Sequence, residues 1–252
     1  MLNGKLLIQG SNLAVYNKYS PQVTAGSILN LDAGNTTSYS GTGTEWYDIS
    51  GQGMTASLVN TPTYQSNSGS FKLNGTNQYM VVTPNATLNA INAFTNSYTF
   101  EIWAKSTDPS PTNTFAPRLI EKRALTGAYP ISIQINFNFA ERTTCFVFDG
   151  TLAPGVQIDG QNLWDGTWKQ ITYVVDFSSD SFRSYNNSGF VSSSTNTVTT
   201  NTSNASNLYI GTNGAATTPF AGEIAIVRVY NTALTVDQIG ANWFATKDRF
   251  GV

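Results

Sequence analysis

Short extended runs of apolar residues, separated by polar turns, recur along the whole chain. Between residues 131 and 139 the alternation is strict: Ile131, Ile133, Ile135, Phe137 and Phe139 are interleaved with Ser132, Gln134, Asn136 and Asn138. That is the period of a strand with one face on a core and the other toward water. The same reading predicts strands over 71–82, 98–105, 144–148, 168–176, 208–210 and 224–230, which are rich in β-branched and aromatic residues. No repeat at a fixed period interrupts this pattern. One helix is predicted, and it closes the chain. After the run Ile224, Ile226, Val227, Val229 and Tyr230, Asn231 breaks the strand, and Thr235 with Gln238 three residues on forms a capping box, each side chain bonding the other's backbone N–H. Val236, Ile239 and Trp243 follow at helical spacing. Such a stripe has to sit on a sheet. The expectation is an all-β protein with one short C-terminal helix.

Glycines at 41, 43, 51, 53, 69 and 75 punctuate the first third with tight turns. Ser106 to Pro117 reads as a loop, and the Ser/Thr/Asn-rich stretch Val191 to Ser206 as a loop or polar edge strand. The division expected is an arm or extra strand over 1–27 and a single β-sandwich domain over 28–252. The arm carries Leu6, Leu7, Ile8, Leu13, Val15 and Tyr16. A short apolar segment outside a complete sandwich has nothing of its own to bury, so it is a candidate docking segment, with an additional strand on its own sheet as the alternative.

Composition narrows the function classes. With 40% hydrophobic residues among 252, the chain can build a substantial core. Only 11% of residues are charged, and the formal net charge is −2. That leaves no electrostatic footprint for nucleic acid or an anionic membrane. The three consecutive apolar residues near the N-terminus are too few for a signal peptide or a transmembrane segment. Cys145, the single cysteine, cannot form an internal disulfide and reads as a buried strand residue. Histidine is absent, which removes Ser-His and Cys-His nucleophiles and the usual transition-metal ligands. The tryptophans Trp103, Trp168 and Trp46 read first as core residues filling the space between sheets.

Seven blocks in order carry a family resemblance. They are LNLDAGNTTSYSGTGTEWYDISGQG at 29–53, GSFKLNGTNQYMVV at 69–82, YTFEIWAK at 98–105, DGTWKQITYVVD at 165–176, YNNSG at 185–189, LYIGTNG at 208–214 and the closing strand, turn and helix. From about residue 28 the chain resembles the laminin-G-like, concanavalin A-like jelly-roll β-sandwich of two antiparallel sheets. The version it is most similar to recurs in tailed-phage virion proteins and bacterial surface proteins.

The resemblance implies a non-enzymatic structural virion protein of a phage, a capsid decoration or tail-associated subunit that contacts host-surface glycans. Its partners would be other virion subunits or further copies of itself. The alternative is a carbohydrate-binding, lectin-like adhesion module, and a glycoside hydrolase stands a distant third. Glycosidases of this fold use two carboxylates across a cleft, and no Glu/Asp-x-Glu/Asp pattern occurs in any strand candidate. Trp164, Tyr185 and Tyr47 are the candidate glycan contacts, since flat aromatics flanked by amides suit sugars. Relatives of the fold also bind calcium at a sheet rim. Asp32, Asp48, Asp149, Asp159 and Asp165 lie near turns, yet no three fall at a calcium-loop spacing, so no cofactor is assigned, and Asp32 and Asp48 are expected to cap turns.

Overall fold

The computed structural model describes residues 5–9, 12–16, 21–91, 96–106, 117–123, 131–137, 142–147, 156–162, 165–195, 197–199, 201 and 203–252, of which 5–9, 12–16, 131–137, 142 and 156–162 are described as backbone. Its strands in chain order are β1 (Lys5–Gln9), β2 (Asn12–Tyr16), β3 (Ser27–Asp32), β4 (Glu45–Tyr47), β5 (Thr55–Val59), β6 (Thr63–Gln65), β7 (Ser70–Asn74), β8 (Tyr79–Val82) and β9 (Tyr98–Lys105). They continue with β10 (Arg118–Arg123), β11 (Ile131–Phe137), β12 (Arg142–Val147), β13 (Val156–Asn162), β14 (Lys169–Asp176), β15 (Ser181–Asn186), β16 (Gly189–Thr195), β17 (Leu208–Ile210) and β18 (Ala221–Tyr230). A one-turn helix α1 (Ala86–Asn89) precedes β9, and α2 (Val236–Phe250) ends the chain.

Two antiparallel sheets carry the fold. The front sheet runs β13-β12-β11-β10-β17-β8-β5-β4, and the back sheet runs β16-β15-β14-β9-β18-β7-β6, with β3 also paired to β18. Strand β18 is long enough to serve two neighbours on one edge, β7 along Ala221–Ile224 and β3 along Ile226–Tyr230, while β9 occupies its other edge. Period-two alternation sorts the side chains. Trp46, Ala56, Leu58, Met80, Val82, Leu208, Ile210, Cys145 and Val147 on the front sheet meet Phe71, Phe100, Ile102, Ile171, Tyr173, Ile224 and Val227 on the back sheet in one core. The all-β sandwich with a C-terminal helix, and the buried Cys145, are therefore observed.

Trp103 and Trp168 depart from the expected inter-sheet position. Both are buried, but they face outward from the back sheet and pack under α2. The Phe250 ring stacks on Trp103 at 4.3 Å and tilts against Trp168 at 4.7 Å. Of the three, Trp46 lies between the sheets as expected, edge-on to Phe71. The helix itself keeps the predicted start, with both halves of the Thr235–Gln238 capping box formed. Of its predicted stripe, Ile239 and Trp243 pack toward the sheet, joined by Asn242 and Phe250, while Val236 is exposed. The run at 71–82 is broken at the turn after Asn74, so it forms β7 and β8 in different sheets. The stretch 191–206 begins as the polar edge strand β16.

Beneath α2 lies a buried polar network. Arg228 pairs with Glu101 with both side chains fully buried. It also donates to Gln22 Oε1 at 2.9 Å and to Asn30 Oδ1 at 3.4 Å. Asn242 of α2 donates to Glu101 Oε2 at 2.8 Å and accepts from the Val23 amide at 2.8 Å. Burial alone would lower the Arg228 pKa, but Glu101, Tyr230 and Asp32 outweigh it and the net shift is upward. A buried charge survives only when its partners replace water. Here the partners come from four separate segments, so the network ties them together.

Candidate functional site

The two outer faces of the sandwich differ. The outer face of the back sheet is occupied by α2, whereas no described element lies across that of the front sheet. Register places Glu45, Ser57, Val81, Tyr209, Glu121, Gln134, Phe146 and Gln157 in one row across the open face, because residues directly opposite in an antiparallel ladder share a face. Tyr79, two residues from Val81, lies on the same face, and its ring centroid is 6.4 Å from that of Tyr209.

A bulge then adds a charge pair. Arg118 is opposite Asn136 but Ile120 is opposite Ile135, so Leu119 is an extra residue. A bulge resets the alternation, which puts Arg118 and Glu121 on the same side although they are three apart. Arg118 Nε lies 3.3 Å from Glu121 Oε2, with the carboxylate only 1% exposed. The other oxygen accepts from the Gly214 amide at 3.0 Å. Burial lowers the Arg118 pKa, opposed by the attraction and hydrogen bond of Glu121. Gly214 is held by a turn in which Asn213 Oδ1 accepts from the Thr217 amide at 2.8 Å. Leu119 O accepts from the Gly211 amide at 2.9 Å. Gly211 has φ +83°, and a Cβ there would stand 2.4 Å from Leu73 Cδ1. Glycine is required at that point.

The described part of this face thus offers the two half-buried rings of Tyr79 and Tyr209 with Glu45 and Ser57 beside them, while the Arg118–Glu121 pair and Thr144 are buried within it. Among the described residues of this face, no two carboxylates stand at hydrolytic spacing. Glu45 is four strand positions from Glu121 in the sheet and Asp159 three, or ~19 Å and ~14 Å at ordinary strand spacing. Both exceed the roughly 5–9.5 Å that glycoside hydrolysis uses.

Of the sequence-derived contacts, Tyr47 and Tyr185 lie in different sheets. Tyr47 is 51% exposed on the edge strand β4. Tyr185 is 3% exposed, on the back sheet, packed with Val174, Tyr230, Leu234 and Ile239; its ring edge meets Phe190 instead of water. Burial raises the Tyr185 pKa, and Arg183 partly offsets this. Trp164 lies outside the described residues. Tyr47 also stands seven strand positions from β13, ~34 Å away. Tyr79, Tyr209, Arg118 and Glu121 were missed. The available signal for the tyrosines was alternation, since Tyr209 sits between the buried Leu208 and Ile210, and Tyr79 and Val81 flank the buried Met80. The arm residues Leu6, Leu7, Ile8, Leu13, Val15 and Tyr16 fall in a β1–β2 hairpin that belongs to neither large sheet.

Among the described residues, no group of three or more His, Cys, Asp or Glu could hold a metal ion. Asp32 accepts from the Gly34 amide at 2.9 Å and from Arg249 at 2.6 Å. Asp48 accepts from the amides of Asn30 and Ser50. Both cap turns. Asp165 does the same for Thr167 and pairs with Lys169; its pKa is lowered to about 2, the opposing desolvation being outweighed by hydrogen bonds from Lys169 and Thr167. Asp149 lies outside the described residues. No described helix is long and apolar enough to cross a membrane.

A family model described as the Concanavalin A-like lectin/glucanases superfamily, Laminin_G_3, matches residues 74–240. No curated protein matches the chain. Among solved structures, the binding domain of Paraclostridial Mosquitocidal Protein 1 is similar with a TM-score of 0.69 at 12% identity, over 88% of this chain and 52% of that one. The botulinum neurotoxin serotype D binding domain gives a TM-score of 0.64 at 12% identity, over 88% and 52%. The receptor binding domain of the botulinum neurotoxin C/D mosaic serotype gives 0.65 at 12% identity, over 88% and 51%. The chain spans about half the length of these binding domains, and at this identity the likeness establishes fold.

Proposed function

Because the chain belongs to the Concanavalin A-like lectin/glucanases superfamily, we propose that it is a non-enzymatic binding module for cell-surface carbohydrate, with the outer face of the front sheet as its contact surface. The observation that carries this reading is the asymmetry of the sandwich. One face is covered by α2, and the other presents the half-buried Tyr79–Tyr209 pair, with the Arg118–Glu121 pair buried next to it and held by the Gly214 amide. Tyrosine rings take the apolar faces of sugars, and neighbouring amides take their hydroxyls. Similarity to toxin binding and receptor binding domains supports a binding role over a catalytic one.

The test is a glycan array probed with the wild type and Tyr209→Ala, with and without a calcium chelator. Saturable binding that weakens about tenfold in the variant, roughly 1.4 kcal/mol, and ignores the chelator is the expected result. Binding unchanged by Tyr209→Ala and Tyr79→Ala together would move the site elsewhere; silence on the array would remove the carbohydrate reading.

The second reading, a structural virion subunit of the capsid-decoration or tail-associated kind, is supported by the β1–β2 hairpin standing outside both large sheets. It requires that removing residues 1–24 abolish incorporation into a particle; retained incorporation would sink it.

A further inference from the structure

We propose that the flank of α2 turned away from the back sheet is the docking surface for the chain's own N-terminal hairpin. Taking Ile239 as the centre of the sheet-facing side, Phe244 stands about 140° and Asp237 about 160° around the helix. Gly240, at about 100°, lies on the same flank. A helix with one sheet beneath it should expose such positions. Phe244 is instead only 7% exposed and Gly240 is buried, although Phe244 belongs to none of the three core clusters. Asp237, seven residues before Phe244 on the same stripe, is exposed, so the cover is local to Gly240 and Phe244, and the Trp243 ring and Lys247 that flank Phe244 belong to α2 itself.

The fold supplies one candidate within reach. Strand β2 comes within 8 Å of α2, backbone to backbone. The tether is short: the Gln22 and Val23 side chain and backbone are bonded to Arg228, Asn242 and Tyr230 beneath α2. From Tyr16 to Gln22 the chain takes six steps, a span of ~20 Å at most. The hairpin is therefore held at high effective concentration beside the helix. Its register pairs Leu6 with Val15 and Ile8 with Leu13, so these four residues share one wholly apolar face. The opposite face carries Lys5, Leu7, Gln9, Asn12, Ala14 and Tyr16. A two-stranded hairpin is marginal alone in water, and burying that apolar face on the Phe244 flank resolves both deficits.

The experiment is a double-mutant cycle in the full chain, using Val15→Ser and Phe244→Ser and reading the melting temperature and the fluorescence of a dye that binds exposed apolar surface. Phe244→Leu serves as the variant that keeps the fold. Each serine variant should lower the melting temperature by roughly 3–6 °C and raise dye fluorescence, and the double variant should melt no lower than the worse single one, because both remove one contact. Leu7→Ser, on the other face, should melt within about 1 °C of the wild type. Additive losses, or a Leu7→Ser variant as damaging as Val15→Ser, would overturn the proposal. So would a wild-type dimer dissociated by Val15→Ser, which would make a second copy the occupant.

Discussion

At the scale of single residues, Lys122 shows how burial and chemistry interact in this molecule. It is fully buried at the end of β10, on the inner side of the front sheet with Leu208 and Val82. Its ammonium donates to Asn89 Oδ1 at 3.2 Å and to the carbonyls of Asn204 and Ser206 at 2.8 and 2.7 Å. Three oxygens close the mouth of the sandwich around it without a carboxylate among them. Burial lowers its pKa to about 8, against about 10.4 in an unfolded chain. The folded state thus releases this proton first. Between pH 8 and about 10.4 the unfolded chain binds more protons, so this group's contribution to stability improves as pH rises across that window. Chemical denaturation of wild type and Lys122→Met over pH 7 to 10 should show the wild type gaining ~1–3 kcal/mol relative to the variant. Taking the difference cancels the opposing effect of Tyr98 and Cys145, whose pKa values burial raises. A difference independent of pH would contradict the buried ammonium.

At the scale of elements, α2 is held by its cap and by the network beneath it. Thr235 Oγ1 accepts from the Gln238 amide at 3.2 Å, and Gln238 Oε1 accepts from the Thr235 amide at 2.9 Å. Thr235→Ala should cost ~1 kcal/mol and lower the melting temperature by about 2–4 °C, while Thr235→Ser keeps both; equal melting of the two variants would discount the cap. Glu101→Gln is the harsher change, since it leaves the Arg228 charge buried without a counter-charge. The expected cost is ~3–5 kcal/mol by urea denaturation, and a loss below about 1 kcal/mol would mean that water reaches Arg228.

These two predictions also mark the limit of what the sequence made legible. The capping box, the strands β9 and β18 and the alternation of β11 were readable because each depends on neighbours a few residues apart. The network around Arg228, Glu101 and Asn242 joins residues up to 219 apart, and nothing local marks it. The candidate site was hidden for the same reason. Arg118 and Glu121 share a face only through the bulge at Leu119, which exists relative to β11. Tyr79 and Tyr209 meet only because β8 pairs with β17. Trp164, Tyr185 and Tyr47 stand out by composition and by nearby turns, and those features say nothing about which sheet or face a ring occupies.

At the scale of the whole molecule, a sandwich with α2 across one outer face and half-buried rings on the other should bind from one side only. Bulk added to the open face should block ligand, and equal bulk on α2 should not. Cysteine labelling can place that bulk cleanly, because the native Cys145 is buried and a thiol without access does not react. Ser57 is exposed in the same row as Val81 and Tyr209, two strand positions or ~10 Å from Tyr209. Ala245 is exposed on α2, beyond the whole thickness of both sheets and away from the Phe244 flank. The Ser57 hydroxyl donates to Glu45 Oε1 at 3.5 Å and Ala245 has no polar side-chain group, so each label is read against its own unlabelled cysteine variant. Coupling a bulky maleimide to Ser57→Cys should then reduce binding at least tenfold, or ~1.4 kcal/mol, while the same label on Ala245→Cys leaves it within about twofold. If the pattern reversed, ligand would be reading α2 and the hairpin beside it, and the rings of the front sheet would be surface without a binding role. If both labels were silent, contact would lie at the ends of the strands, among the loops that join the sheets.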